Sequence, residues 1–327
     1  MPPARRTHRR YRRRSGPRRN LRASILLAIS LVALVVGLKA HEGNSSATER
    51  PSLTIARHKS GGTATATSAT KSTGTATAVD PTAVDPLTRK AMRAFLSARK
   101  GSISMAVRDL VTGQEWLYNP GARDQTASIM KVDILETLLR QSEVANTPLD
   151  DDTADTVQGM IENSDNDEAT ALWNQVGGSS AIAAYNASAG LTATDLNTQG
   201  YWGESTTSAA DQIRLLDELV APAGLLNKAS QSYQLGLMEN IEADQDWGVS
   251  AGVPSGVSVA LKNGWVPLTS NTDWEVNSIG RVRGDGRYYL IAVLTAHDPG
   301  QDYGIDTIQG ISPQVWSDLR EPTPRSS

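Results

Sequence analysis

Ser128 and Lys131 stand three residues apart at the head of an apolar run, Val132-Asp133-Ile134-Leu135-Glu136-Thr137-Leu138-Leu139. On a helix that spacing projects both side chains from one side. A serine hydroxyl is a weak nucleophile until a neighbour takes its proton. A lysine can do so once desolvation or nearby positive charge lowers its pKa. The start of a helix also offers unpaired backbone N–H groups, which stabilise developing negative charge. Acyl transfer through a serine ester is the chemistry this pair would perform. Ser-x-x-Lys by itself is a weak motif, and serine is an ordinary helix-start residue, so the reading depends on partners elsewhere in the chain.

Two further clusters supply them. Asn163-Ser164-Asp165-Asn166 begins 35 residues after Ser128, between two expected helices, where Asn and Ser also serve as plain caps. Lys262-Asn263-Gly264-Trp265 falls at the end of an expected strand, where a solvated lysine and a turn glycine are the ordinary reading. Acyl transfer needs a base, a proton shuttle and an anion site. Two lysines flanking one serine depress each other's pKa.

The elements that must position these residues follow from hydrophobic periodicity. Ile129, Val132, Leu135, Leu138 and Leu139 recur at helical spacing and place Ser128 at the first turn of a buried helix. Before it, Pro86–Arg99 reads as a helix with Leu87, Met92 and Leu96 on one face. Ser102–Asp109 and Glu115–Tyr118 read as strands joined by a turn at Thr112-Gly113. Helices are expected at Thr153–Asn163, Asp167–Gln175, Ser179–Ala189, Ser208–Val220 and Asn227–Glu239. Strands follow at Val257–Leu261, Trp274–Val282 and Tyr288–Thr295, with Gly284-Asp285-Gly286 as a hairpin turn, and Tyr303–Leu319 closes as a helix. The expected fold is α/β in the α+β sense. One antiparallel sheet is built from both chain ends and flanked by helices, and a reduced all-helical lobe is inserted in the middle.

Ser-x-x-Lys, then Ser-Asp-Asn, then Lys-x-Gly on a late strand is, in that order, the signature of class A β-lactamases and penicillin-binding proteins. Over about residues 87–320 the chain resembles this superfamily of penicillin-recognising serine hydrolases and D,D-peptidases, in particular exported actinobacterial members. The likeness includes Asp109-x-x-Thr-Gly113, Thr126-Ala-Ser-Ile-Met-Lys131, Thr206-Thr-Ser-Ala-Ala-Asp211 and Val276-Asn-Ser-Ile-Gly280. The resemblance implies that Ser128 is the acylated nucleophile and Lys131 its proton acceptor. It implies that Ser164 passes a proton to the leaving nitrogen and that Asn166 binds the substrate amide. Lys262 would attract the substrate carboxylate and help depress Lys131. Asn263 and Gly264 would line the substrate site, and the backbone N–H groups of Ser128 and Trp265 would form the oxyanion hole.

Several positions depart from the family pattern. Asn263 stands where Thr or Ser is common, and Trp265 is large where small residues are usual. The segment between Ser128 and Ser164 is short. The omega loop, which in the family carries the glutamate that activates the deacylating water, is abbreviated to Asn197-Thr-Gln-Gly-Tyr-Trp-Gly-Glu-Ser205, and Glu204 is its only glutamate. The sequence therefore supports acylation better than efficient hydrolysis. The expected activity is that of a serine hydrolase acylated by β-lactams or related amides. The alternatives are a D,D-carboxypeptidase or other cell-wall peptide or ester hydrolase, and a non-turnover β-lactam or cell-wall sensor.

Composition bounds the rest. The 327 residues contain no cysteine, which excludes disulfides, thiolate metal sites and a catalytic thiol. Ten arginines and no acid occupy residues 1–22, leaving by difference about −13 of the net −3 on the remainder. An acidic body argues against nucleic acid as a partner. The arginines precede an apolar run, Ala23–Leu38, so residues 1–40 read as a signal peptide or membrane anchor. Residues 41–84 are a Thr/Ala/Ser-rich disordered tether, and residues 85–321 form the hydrolase domain. The expected location is secreted or extracytoplasmic, with a membrane contact only through the uncleaved N-terminal segment. The expected partners are a small-molecule β-lactam or a peptidoglycan-derived peptide, met by a monomer with no cofactor and no metal. His297 is the one histidine of the domain and reads as surface, which leaves a Ser-His-Asp triad without support. Asp150-Asp151-Asp152 reads as a charge patch at a helix N-terminus.

Overall fold

Residues 84–319, residue 271 excepted, are described in a computed structural model; the expected leader, nearly all of the tether and the last residues of the expected domain lie outside the described residues. Helix α1 (Lys90–Ser97) buries Met92 and Leu96. A short 3-10 turn precedes it, with Leu87 buried and the Asp85 carboxylate accepting the Leu87 N–H. Strands β1 (Ser102–Asp109), buried throughout Ile103–Val107, and β2 (Glu115–Tyr118), largely exposed at the sheet edge, follow where they were expected. The two-residue strand β3 (Asp124–Gln125) leads into a 3-10 turn at Ala127–Ile129 and then helix α2 (Met130–Ala145).

The inserted lobe is helical, with α3 (Asp151–Glu162), α4 (Asn166–Val176) and α5 (Gly178–Ala189). Strand β4 (Thr206–Thr207) and helices α6 (Ala209–Glu218) and α7 (Lys228–Glu239) complete the middle of the chain. Their starts follow from capping. Asp150 accepts the Thr153 N–H, Asp165 those of Asp167 and Glu168, Ser208 that of Asp211, and Asn227 those of Ala229 and Ser230. The acidic run at Asp150 is thus a helix cap.

The chain ends with strands β5 (Ser258–Ser270), β6 (Asp273–Gly284) and β7 (Arg287–Asp298), then helix α8 (Gln301–Asp318). The main sheet runs in the order β2-β1-β7-β6-β5. Strand β1 joins β7 antiparallel, from Ser102 opposite Ala296 to Asp109 opposite Tyr289, so the two ends of the domain do share one sheet. Tyr289–Ala296 is buried at every position, because helices cover both faces of the centre of the sheet. On one side Met92, Met105, Ile291, Ile308 and Val315 form a core. On the other, Leu290, Ala292 and Leu294 pack with Ile129, Leu135 and Ile213 of the helical lobe. Asp285 and Gly286, with φ of 49° and 73°, turn the β6–β7 hairpin through two left-handed residues.

Two features differ from the sequence reading. Strand β5 does not stop at Leu261 but continues through Lys262 to Ser270, pairing Lys262 with Ile279 and Gly264 with Asn277. A lysine and a glycine signalled a strand end, yet here the lysine is fully enclosed and the glycine is demanded by close packing. The β3–β4 pair, Asp124 opposite Thr207 and Gln125 opposite Thr206, is too short to leave a periodic signal. It ties the approach to Ser128 to the loop after α5.

Candidate active site

Ser128 sits in the 3-10 turn that opens onto α2, and the residue before it, Ala127, has φ of 46°. A left-handed alanine is strained, and such strain persists only where surrounding contacts over-determine the backbone. Those contacts come from both sides. The Asn277 amide, on β6, donates to the Gln125 and Thr126 carbonyls at 2.8 and 3.3 Å. From the loop after α5, Ser205 accepts the Thr126 N–H at 2.7 Å. Asn277, opposite Gly264 on β6, is a supporting residue that sequence reasoning did not single out; its place in the Val276-Asn-Ser-Ile-Gly280 stretch was the available signal.

Lys131, in the first turn of α2, is fully enclosed. Its Nζ lies 2.9 Å from Ser128 Oγ, 2.6 Å from the Ser164 carbonyl, 3.0 Å from Ser164 Oγ and 2.8 Å from Asn166 Oδ1. Ser164 occupies the α3–α4 loop at φ of 57°, a second strained residue within the same cluster. Asn166 opens α4. Lys262, 1% exposed, reaches Ser164 Oγ at 2.8 Å and the Asn263 carbonyl at 3.1 Å. One hydroxyl therefore joins two lysines, and one of those lysines joins it to Ser128.

Burial pulls the Lys131 ammonium down from the usual lysine range to about 7, against the opposing pull of Asp165 and Glu168. Burial also drives Lys262 well below that range, and the charge of Lys131 adds to it. The expectation that Lys262 depresses Lys131 is thereby reversed in emphasis. The like-charge effect falls on Lys262, the more deeply enclosed of the two, and desolvation accounts for Lys131.

Gly264 passes directly under the Ser128 turn. A Cβ there would stand 2.8 Å from the Ser128 nitrogen, 2.8 Å from the Thr126 carbonyl oxygen and 2.9 Å from the Ile129 nitrogen. All three are backbone atoms, so glycine is required for β5 to approach. That approach brings the backbone next to Trp265 alongside the Ser128 N–H. Asn263 departs from its expected role. The strand alternation turns its side chain the other way, where Nδ2 donates to the Gln245 and Trp247 carbonyls at 2.8 and 3.1 Å. It anchors the segment before β5 instead of offering a free donor to a substrate.

A cavity of about 310 Å³ opens over Ser128. Trp265, Trp202, Tyr201, Thr170 and Glu204 are among its walls. The Trp202 ring lies 5.1 Å from Lys131 Nζ, and its Nε1 donates to Thr170 Oγ1 at 3.1 Å. The short loop that carries it is closed by its own bonds: Asn197 Oδ1 accepts the Gln199 and Tyr201 N–H groups, and Ser205 Oγ accepts that of Asn197. Glu204 Oε2 accepts from Asn197 Nδ2 at 3.3 Å. Trp202 was not distinguished from the other tryptophans in the sequence; only its place just before the Thr206-Thr207 pair hinted at the site. His297 is exposed at the end of β7 and pairs with Asp273 at 3.1 Å. Among the described residues, no group of three or more His, Asp or Glu side chains is arranged to hold a metal ion.

Comparison with known proteins bears on the family and the fold. The model of the Beta-lactamase enzyme family matches residues 148–319. LppW, a candidate lipoprotein of Mycobacterium tuberculosis, is 27% identical over 232 residues, which cover 68% of this chain and 70% of that protein. A class A beta-lactamase from Bacteroides cellulosilyticus superimposes with a TM-score of 0.62 at 19% identity, over 69% of this chain and 94% of the other. The TLA-3 extended-spectrum beta-lactamase gives 0.64 at 17% identity, over 70% and 97% of the two chains. At these identities the solved structures establish the fold.

Proposed function

The chain belongs to the beta-lactamase enzyme family, and from that premise we propose that it is an exported serine hydrolase acylated at Ser128 by β-lactams or related amides. The observation that carries this is the continuous contact path Ser128 Oγ–Lys131 Nζ–Ser164 Oγ–Lys262 Nζ, with steps of 2.9, 3.0 and 2.8 Å. With Lys131 depressed to about 7, a large share of molecules at neutral pH holds a free amine beside the serine. That amine takes the Ser128 proton as Oγ attacks the carbonyl carbon. The oxyanion is met by the backbone N–H groups of Ser128 and Trp265. Lys131 returns the proton through Ser164 Oγ to the leaving nitrogen, the C–N bond breaks, and an ester to Ser128 remains. A substrate carboxylate lies toward Ser164 and Lys262, and its charge favours protonation of Lys262. Asn166 Oδ1 is engaged by Lys131, which leaves its NH₂ to donate to the substrate amide carbonyl.

A second reading, cleavage of cell-wall peptides or esters by a D,D-carboxypeptidase type of reaction, is favoured by the short omega loop. Glu204 is bonded to Asn197 in place of the Ser128–Lys131 network, so the deacylating base of the family has no direct counterpart. The similarity to a candidate lipoprotein and the basic-then-apolar start of the chain support an extracytoplasmic location.

Intact-mass measurement of the chain after addition of a penicillin tests the proposal. A transient adduct on Ser128 with continuing loss of drug identifies a β-lactamase. A lasting adduct identifies a peptidase or sensor. Folded protein that forms no adduct overturns the β-lactam reading and directs attention to peptide and ester substrates.

A further inference from the structure

The cavity over Ser128 has a charge pattern that the acylation chemistry does not require. Glu204 is the single charged side chain among its walls, and it is exposed. Lys262 and Ser164, which serve the leaving-group side, are not part of those walls. Asp165 and Glu168 lie close enough to act on Lys131 electrostatically, although neither lines the cavity. The two lysines offer little to offset the Glu204 charge, since both are enclosed and committed to internal hydrogen bonds. The body of the chain is acidic as well, so long-range steering has the same sign.

The apolar part of the wall fits the same kind of ligand. Tyr201, 60% exposed, and Trp202 are among the cavity's walls. Aromatic faces attract cations, by an amount that grows as water is excluded. Trp202 is held by its bond to Thr170 and is fixed before a ligand arrives; Trp265 packs on Trp247, with ring centroids 5.8 Å apart, and borders the cavity from β5. A carboxylate at the rim of an aromatic slot favours an ammonium group and disfavours an anion.

Resting on the acylation reading, we propose that this cavity selects substrates carrying an ammonium group on the acyl side of the scissile bond, with Glu204 as the specificity-determining residue. The ammonium belongs either to an amine-bearing β-lactam or to an amine-bearing peptide. On the acylation reading the substrate carboxylate lies on the leaving-group side of the bond, outside these walls, so the preferred substrate is zwitterionic. An exposed carboxylate contributes modestly, and rate differences of about three- to tenfold are expected for each change of charge.

Three penicillins with one nucleus test this: ampicillin with an α-amino group on the benzyl side chain, benzylpenicillin with none, and carbenicillin with a carboxylate. Acylation rates of the full-length chain are expected to fall in that order. The spread should shrink in about 0.5 M salt and collapse in Glu204→Gln. Equal rates, a preference for carbenicillin, or an order unchanged in Glu204→Gln would overturn the proposal while leaving Ser128 acylation intact. Calorimetric binding of the same three compounds to Ser128→Ala separates the two ideas. The same order of affinity without acylation of the wild-type chain removes the acylation reading and keeps the cation preference; no binding to the variant together with no acylation of the wild-type chain removes both. Comparing Nα-acetyl-L-lysyl-D-alanyl-D-alanine with its Nε-acetylated form distinguishes the sources. A Glu204-dependent preference for the free amine assigns the ammonium to a peptide substrate, and its absence beside a penicillin preference assigns it to the β-lactam.

Discussion

Lys131 Nζ lies 2.9 Å from Ser128 Oγ inside a shell that excludes water from the amine. Burial in that shell pulls the Lys131 ammonium down to about 7, which is what the proposed base requires at neutral pH. Three acceptors other than Ser128 surround Nζ, and a neutral amine satisfies two of them while its lone pair accepts the Ser128 hydroxyl proton. Removing the side chain leaves the serine without an acceptor. Lys131→Ala is expected to lower the acylation rate by about 10²–10⁴-fold, measured as the rate of adduct formation by stopped mass spectrometry.

The acylation rate of the wild-type chain is expected to rise with pH through about 7, as the ammonium of Lys131 loses its proton. The same shift has a sign for stability. Between the folded value and the ordinary lysine value, the unfolded chain binds the proton and the folded chain does not, so this residue's contribution makes stability rise with pH from about 7 upward. A rate profile flat from pH 5 to 9 would contradict the assignment of Lys131 as base.

Gly264→Ala is expected to be nearly inactive while remaining folded. Its methyl group would meet the Ser128 nitrogen and the Thr126 carbonyl at 2.8 Å, and neither can move without displacing the nucleophile. A stability loss of about 1–3 kcal/mol is expected from the overpacking, read from urea unfolding, with a much larger proportional loss in acylation.

Asn263→Ala checks the reassignment of that residue. Two backbone carbonyls, of Gln245 and Trp247, lose their donor, at a cost of about 1–3 kcal/mol if water cannot replace it. Acylation per folded molecule is expected to change little. A selective loss of substrate affinity at unchanged stability would instead restore Asn263 to the substrate site.

Asp133, two residues beyond Lys131 on α2, is buried with Asn186 Nδ2 donating to it at 2.8 Å, and burial raises its carboxyl to about 7. Between its ordinary value and that raised value the folded chain holds a proton that the unfolded chain does not. Its contribution therefore makes stability fall as pH rises toward 7. Asp133→Asn keeps the acceptor for Asn186 and removes the titration. The variant is expected to have a higher Tm than the wild type at pH 8 and a flatter pH dependence between about 4 and 7, followed by thermal melts across that range.

The sequence by itself determined most of the elements and the placing of Ser128 beside Lys131. Ile129, Val132, Leu135 and Leu138 repeat with a helical period because one face of α2 is buried, and that period places Ser128 and Lys131 together at its start. Strands β1 and β2 were legible as two short segments on either side of the Thr112-Gly113 turn, and the order of three short motifs pointed to one family. Tertiary structure alone decided which side chains face the reaction. The β5 strand looked finished at Leu261 because local pattern cannot show that Lys262 is enclosed by a hydroxyl 98 residues away. Asn263 looked like a substrate donor until the alternation of β5 turned it toward Gln245 and Trp247. Trp202 and Glu204 gained meaning only when the β3–β4 pair folded their loop over Ser128. Periodicity records burial within one element. The depression of Lys131, the bridge through Ser164 and the walls of the cavity arise from contacts between elements distant in sequence, and those exist only once the sheet has closed from both ends of the chain.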